Sequence, residues 1–334
     1  MKVLQTANYS EGVGGIAVQV RLLTDKLRSE GIGCEIFSTK GSILQRMTCP
    51  IRLLVKGRKY DVIHVHACSF RGFFPAVVGV TVGRILKKRV ILTYHGGDAE
   101  HFLDKRPRLA GHILKRTDRN IVLSGFLKKI FDSRGIPCTI IPNIIEPAKV
   151  ECPRDGRLQP DYICTRSFTP TYNIACLLDA FKKVKGQLPD ATLTLVGDGP
   201  LREELKSYVK ENDIQGVTFT GKVPNAEIYD YLAKAGIMVS PSNFDNMPVS
   251  ILEGFNAGLL VIASNVGGVP YMIEDGVNGM LFAPGDADAL SDAMVRAVRT
   301  EGAAEMIASA RESLKKYSWE VIRNDLMSAY TTEA

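Results

Sequence analysis

Two carboxylates stand eight residues apart in Ser240-Pro-Ser-Asn-Phe-Asp245-Asn-Met-Pro-Val-Ser-Ile-Leu-Glu253-Gly-Phe-Asn-Ala-Gly258. Asp245 falls on a loop leaving a strand and Glu253 inside the next helix, so both can face one cleft with helix N-terminal amides between them. A carboxylate so placed accepts hydrogen bonds from two ribose hydroxyls. An acid favoured by the helix dipole accounts for Asp245 without a ligand, but leaves Glu253 among apolar neighbours unexplained. His95, in Thr93-Tyr94-His95-Gly96-Gly97-Asp98, puts an imidazole at the carboxyl edge of a parallel sheet, where open α/β sheets bind ligands. His64 and His66 share one face of the preceding strand and suit either function or packing, whereas His101 and His112 read as incidental. The turn Glu11-Gly12-Val13-Gly14-Gly15 offers unpaired amides and a helix N-terminus to a phosphate. It is not the dinucleotide fingerprint: the third glycine is missing, and the strand Cys34–Phe37 does not end in an acid. Simple turn sterics explains this loop equally well.

These groups need two sheets to position them. Strand-like runs at Lys2–Ala7, Gly33–Phe37, Val62–His66, Val90–Tyr94 and Asn120–Leu123 alternate with helix-length segments, which means βαβ units and a parallel sheet. A second set follows at Tyr162–Thr165, Thr192–Val196, Val217–Thr220, Ile237–Val239 and Leu260–Ala263. The expected fold is α/β, two doubly wound Rossmann-like domains over residues 1–150 and 151–316, with Ile141–Glu151 as the linker.

Length and composition suit a two-domain globular chain: 334 residues, 45% hydrophobic and 23% charged. Seven scattered cysteines without a C-x-x-C pair read as reduced thiols, and no apolar run approaches the ~18 residues of a membrane span. The N-terminus runs into a strand rather than a signal-peptide core, so a cytoplasmic protein is expected. Residues 1–150 hold 25 Lys and Arg against 11 Asp and Glu, while residues 151–334 hold 17 against 25. The basic half is either solvated surface or a face for anionic lipid or an anionic acceptor. No nucleic-acid module accompanies the charge, so nucleic acid is not expected.

Asp245 through Glu253 resembles the E-x7-E element of family 4 of the retaining glycosyltransferases, GT-B enzymes, with Asp for the first Glu. Gly14-Gly15, His95, the Ile141-Pro-Asn143 segment, Arg166, Val196-Gly-Asp-Gly-Pro200, Phe219-Thr-Gly-Lys-Val223 and Val266-Gly-Gly-Val-Pro270 fall where that family has comparable segments. The resemblance implies that Glu253 holds the ribose of a nucleotide sugar and Arg166 its diphosphate. The amides around Asn246, Met247 and Val249 would bind diphosphate and sugar, and Val223 would meet the base. Gly14 and Gly15 would contact the β-phosphate or the acceptor, His95 the transferred sugar, and Asp245 the sugar hydroxyls. It further implies front-face transfer with retention, no metal or other cofactor, and a C-terminal helix, about residues 317–334, that rejoins the first domain. Uridine is the favoured base and guanosine the next, with a glycan, lipid-linked or small-molecule acceptor and peripheral contact with anionic membrane.

Two departures stand out. Tyr172 occupies the place of a usual Lys, removing one cation from the leaving-group clamp, and Pro248 replaces a common glycine and has no N–H to offer. They keep open a donor-binding partner subunit with weakened chemistry. A sugar-nucleotide epimerase on the same fold would need more acids in the first half than Asp98 and its few neighbours.

Overall fold

A computed structural model describes residues 1–11, 14–147 and 158–331. Gly12, Val13, Cys152, Pro153 and the far end of the expected linker lie outside the described residues. Two units emerge, one of residues 1–144 with the segment from Tyr317 onward, the other of residues 145–316.

The first unit runs β1 (Lys2–Ala7), α1 (Gly15–Ser29), β2 (Gly33–Ser38), α2 (Ile43–Met47), α3 (Cys49–Gly57), β3 (Val62–Ala67), α4 (Phe74–Ile85), β4 (Arg89–Tyr94), α5 (Ala99–Lys105), α6 (Pro107–Leu114), β5 (Arg119–Val122), α7 (Gly125–Asp132) and β6 (Thr139–Ile140). Its parallel sheet has the order β2-β1-β3-β4-β5-β6. The chain reverses direction across the sheet between β1 and β3, and loops leaving the carboxyl ends of those strands splay apart there.

The second unit runs β7 (Asp161–Cys164), α8 (Ile174–Gln187), β8 (Thr192–Val196), α9 (Arg202–Glu211), β9 (Val217–Gly221), α10 (Ile228–Leu232), β10 (Ile237–Ser240), α11 (Val249–Asn256), β11 (Leu260–Ser264), β12 (Met280–Phe282), α12 (Ala287–Arg299) and α13 (Ala303–Ser313). Its parallel sheet is ordered β12-β11-β10-β7-β8-β9. Counted within the unit this is the 3-2-1-4-5-6 order of nucleotide-binding sheets, with its switch point between β7 and β10.

A short 3-10 turn, Leu314–Tyr317, precedes the last helix, α14 (Trp319–Thr331). Trp319, Ile322, Leu326 and Tyr330 are buried in one core with Val3, Leu23 and Ile91 of the first unit. Each such side chain is worth roughly 1.5–3 kcal/mol of burial. Gln19 on α1 donates to and accepts from the backbone of Ile144 at 2.9 and 3.0 Å, fastening the segment after β6. The expected strands all form, shifted by a residue at several ends. β6 and β12, of two and three residues, were not anticipated, because they are too short to show an alternating pattern.

Candidate functional site

In the second unit β7 and β10 pair side by side, so the segments leaving them meet at the switch point. β10 is buried throughout, and Pro241 ends it. The loop that follows carries Ser242 and Asp245 and enters α11 at Pro248, the N-cap. A helix start needs no N–H from that position, and the Pro248 carbonyl accepts from Ile251 N at 3.1 Å, so proline fits without loss.

Arg166 leaves β7 and reaches across. Its guanidinium donates to the Asp245 carboxylate and to the Ser240 and Ser242 hydroxyls, at 3.0 and 3.3 Å for Nη2. The side chains of Arg166 and Asp245 are only 9% and 15% exposed, so the ion pair is shielded from screening. The Tyr172 ring lies under the guanidinium at 4.7 Å. Asn243 holds the turn bearing Tyr172 in place: its amide nitrogen donates to Pro170 O at 3.0 Å, and its backbone N–H to Thr171 O at 2.8 Å. Sequence reasoning gave Arg166 and Asp245 separate partners and did not find Ser240, Ser242 or Asn243. The structure joins Arg166, Asp245, Ser240 and Ser242 in one hydrogen-bonded group and sets Asn243 against the turn that carries Tyr172.

Glu253 is the one residue of α11, apart from its buried neighbours, that keeps some surface open. Burial pushes its carboxyl up to about 7, against the pull of the Arg166 charge. Among the described residues no side chain or backbone group hydrogen-bonds that carboxylate. A desolvated acid with that many unmet acceptor positions is expensive to ionise until donors reach it. Asn246, Met247 and Val249 are buried at the start of α11, and Asn246 N donates to Asp245 Oδ1 at 3.0 Å. Val223 stands apart, half-buried beyond the end of β9.

Three glycines let backbones close around the switch point. A Cβ on Gly197 would sit 2.1 Å from Arg166 O, one on Gly199 2.4 Å from Phe168 O, and one on Gly268 2.0 Å from Asn246 O. Any side chain at these positions would displace the Arg166 or Asn246 segment.

In the first unit Gly14 is the N-cap of α1 at φ +81°, a conformation that favours glycine, and Gly14 and Gly15 are both exposed. His95 follows β4 and is partly exposed. Its Nε2 lies 3.0 Å from His66 Nδ1, and His66 Nε2 lies 2.6 Å from Gln5 Oε1. His64 stands between the hydroxyls of Tyr330 and Thr93, at 2.8 Å each. Burial holds His95 down at about 4 and His64 at about 3, and keeps His66 well below the ordinary value, so all three rings are neutral near pH 7. They line a small pocket of about 40 Å³ with Ile322 and Leu326 of α14, and His95 stands at its partly exposed side. His101 pairs with Asp98 at 3.2 Å on the surface, and His112 with Arg116 at 3.0 Å. The partners of His64 and His66 were legible only as isolated residues in the sequence.

A family model described as "Glycosyl transferases group 1" matches residues 159–300, and one described as "Glycosyltransferase Family 4" matches residues 44–149. The chain belongs to the group 1, family 4 glycosyltransferases. This glycosyltransferase is 22% identical to the 2-deoxystreptamine N-acetyl-D-glucosaminyltransferase of Niallia circulans, over 96% of the chain and 98% of that protein. It is 31% identical to the sulfoquinovosyl transferase of Arabidopsis thaliana, over 81% of the chain and 57% of that protein. Among solved structures it resembles Anabaena HepE in complex with UDP-glucose, with a TM-score of 0.82 at 19% identity, covering 99% and 100% of the two chains. The two doubly wound sheets are those of the GT-B fold. The glycosyltransferase is an enzyme of the hexosyltransferase type.

Proposed function

We propose that this glycosyltransferase moves a hexose from a UDP-sugar, with retention of anomeric configuration and without a metal, to a glycan, lipid-linked or small-molecule acceptor. Glu253 carries the reading. Its carboxyl is raised to about 7 and lacks a protein hydrogen bond among the described residues, while two adjacent ribose hydroxyls supply the donors it needs. One helical turn and a loop away, Arg166 meets the diphosphate from its pair with Asp245, and the Met247 and Val249 amides at the start of α11 add donors for the same charge. Neutral His95 meets the sugar as a hydrogen-bonding group rather than as a cation. A UDP-glucose complex of a protein of the same fold supports uridine over guanosine.

The test is thermal stabilisation by UDP, GDP and ADP, then release of the nucleoside diphosphate from the matching sugar conjugates and NMR of the product's anomeric carbon. UDP at ~100 times its dissociation constant adds roughly 2.7 kcal/mol to stability. Stabilisation by GDP alone would move the donor to a guanosine sugar, and an inverted product would remove the front-face mechanism.

A further inference from the structure

The core takes one side of α3 and no residue of α2, and leaves the outer surface of both unexplained. Ser42 and Gln45 cap α2 reciprocally, with Ser42 N donating to Gln45 Oε1 at 2.9 Å. The helical bonding then carries through Thr48, whose N–H donates to Leu44 O and whose carbonyl accepts from Arg52 N, at 3.0 Å each. The segment from Ile43 to Gly57 therefore reads as one nearly continuous helical stretch of about 22 Å. Cys49, Leu53 and Gly57 form its buried stripe, so close that a Cβ on Gly57 would lie 2.9 Å from Leu86 Cδ1.

The outer stripe is equally regular. Ile43, Met47, Ile51 and Val55 recur every fourth residue and are 80%, 73%, 66% and 60% exposed, with Leu44 beside them at 70%. Scattered single apolar residues on a surface are ordinary; five large ones in thirteen residues are a patch that calls for an apolar phase. Its charge setting identifies the phase. No acidic residue occurs between Glu35 and Asp61, and the exposed Arg46, Arg52, Arg58 and Lys59 fall within or just beyond the same stretch. Lys88 Nζ donates to Arg58 O at 3.2 Å, bringing the basic turn after α4 alongside. A protein partner of matching apolar shape needs no such one-signed border, whereas an anionic bilayer presents both hydrocarbon and negative head groups.

We propose that α2 and α3 form a membrane-docking face, with the Ile43, Leu44, Met47, Ile51 and Val55 side chains entering the head-group–acyl boundary of an anionic bilayer and the flanking cations meeting lipid phosphates. The proposal makes no use of the donor site, and its test needs no turnover. The full chain is sedimented with phosphatidylcholine vesicles, with and without one quarter phosphatidylglycerol, at low and high salt. Binding to the anionic vesicles is expected, weakened but not abolished by salt because the apolar contribution is unscreened. Met47→Asp with Ile51→Asp should lower partitioning at least tenfold, with the melting temperature unchanged.

Ile51→Trp gives a second readout. The only native tryptophan, Trp319, is buried, so a shift of emission to shorter wavelength on adding anionic vesicles reports position 51. Undiminished binding by the double variant, or no emission shift, would overturn the proposal in favour of purely electrostatic adsorption. Self-association of the wild-type chain that the double variant abolishes, without vesicle binding by either, would overturn it in favour of a second copy of the chain as the occupant.

Discussion

His66 Nδ1 lies 3.0 Å from His95 Nε2, and the opposite nitrogen of His66 faces Gln5 Oε1 at 2.6 Å. An amide oxygen only accepts, so His66 Nε2 carries the hydrogen and its Nδ1 accepts from His95 Nε2–H. His95 is thereby held in one tautomer, with Nδ1 as the acceptor that the proposed contact with a sugar hydroxyl needs. His66→Leu is expected to lower kcat about tenfold, roughly 1.4 kcal/mol, while UDP affinity changes less than twofold. Gln5→Leu should act in the same direction through His66. Nitrogen-15 chemical shifts of His95 read the tautomer directly; an unchanged tautomer in both variants would remove the positioning role.

Glu253→Gln separates stability from binding. A carboxyl raised from 4.5 to about 7 opposes folding above pH 7, where it must ionise, by about 3 kcal/mol, and that penalty vanishes as pH falls below about 4.5. The variant should melt higher than wild type at pH 8 and lose the difference at pH 4. Its affinity for UDP-sugar should nonetheless drop at least tenfold, since hydrogen bonds to a charged acceptor are each worth about 1.5–3 kcal/mol. Calorimetric titration at pH 8 checks the second point; equal affinity would place the ribose elsewhere.

Mild acid should destabilise the protein through its histidines. His64, His66 and His95 stay neutral when folded but protonate near pH 6.5 once unfolded, so stability is full above 6.5 and declines as pH falls toward 4. Three such groups give a slope of up to about 4 kcal/mol per pH unit, which outweighs the opposite and smaller effect of Glu253. Urea unfolding at pH 7.5 and 5.5 measures it. His64→Gln should remove about a third of the difference.

Tyr172 lies under Arg166 with its ring 4.7 Å from the guanidinium, so removing the ring should weaken the Arg166 site. Tyr172→Ala is expected to weaken UDP binding about fivefold, the ~1 kcal/mol of a partly buried cation–π contact, and Tyr172→Phe less than twofold. If Phe is as impaired as Ala, the hydroxyl has a role that the stacking does not explain.

The amino-acid order alone determined two doubly wound sheets, because strand length, apolar runs and helical period are properties of neighbours in the chain. It also marked Glu253, His95 and Gly14 by local context: an acid among apolar residues, an imidazole at a strand end, a glycine at a helix start. Tertiary structure decided who meets whom. Arg166 and Asp245 are 79 residues apart, and His64 and Tyr330 are 266 apart. Such pairs depend on sheet order and on which helix returns to which core, and no periodicity encodes either. The apolar stripe from Ile43 to Val55 shows the same division. Its spacing is helical in the sequence, but a helix with two apolar sides does not reveal which one the core will take; Val78, Val82 and Leu86 settle that by packing with Cys49 and Leu53, and the other side is left to solvent.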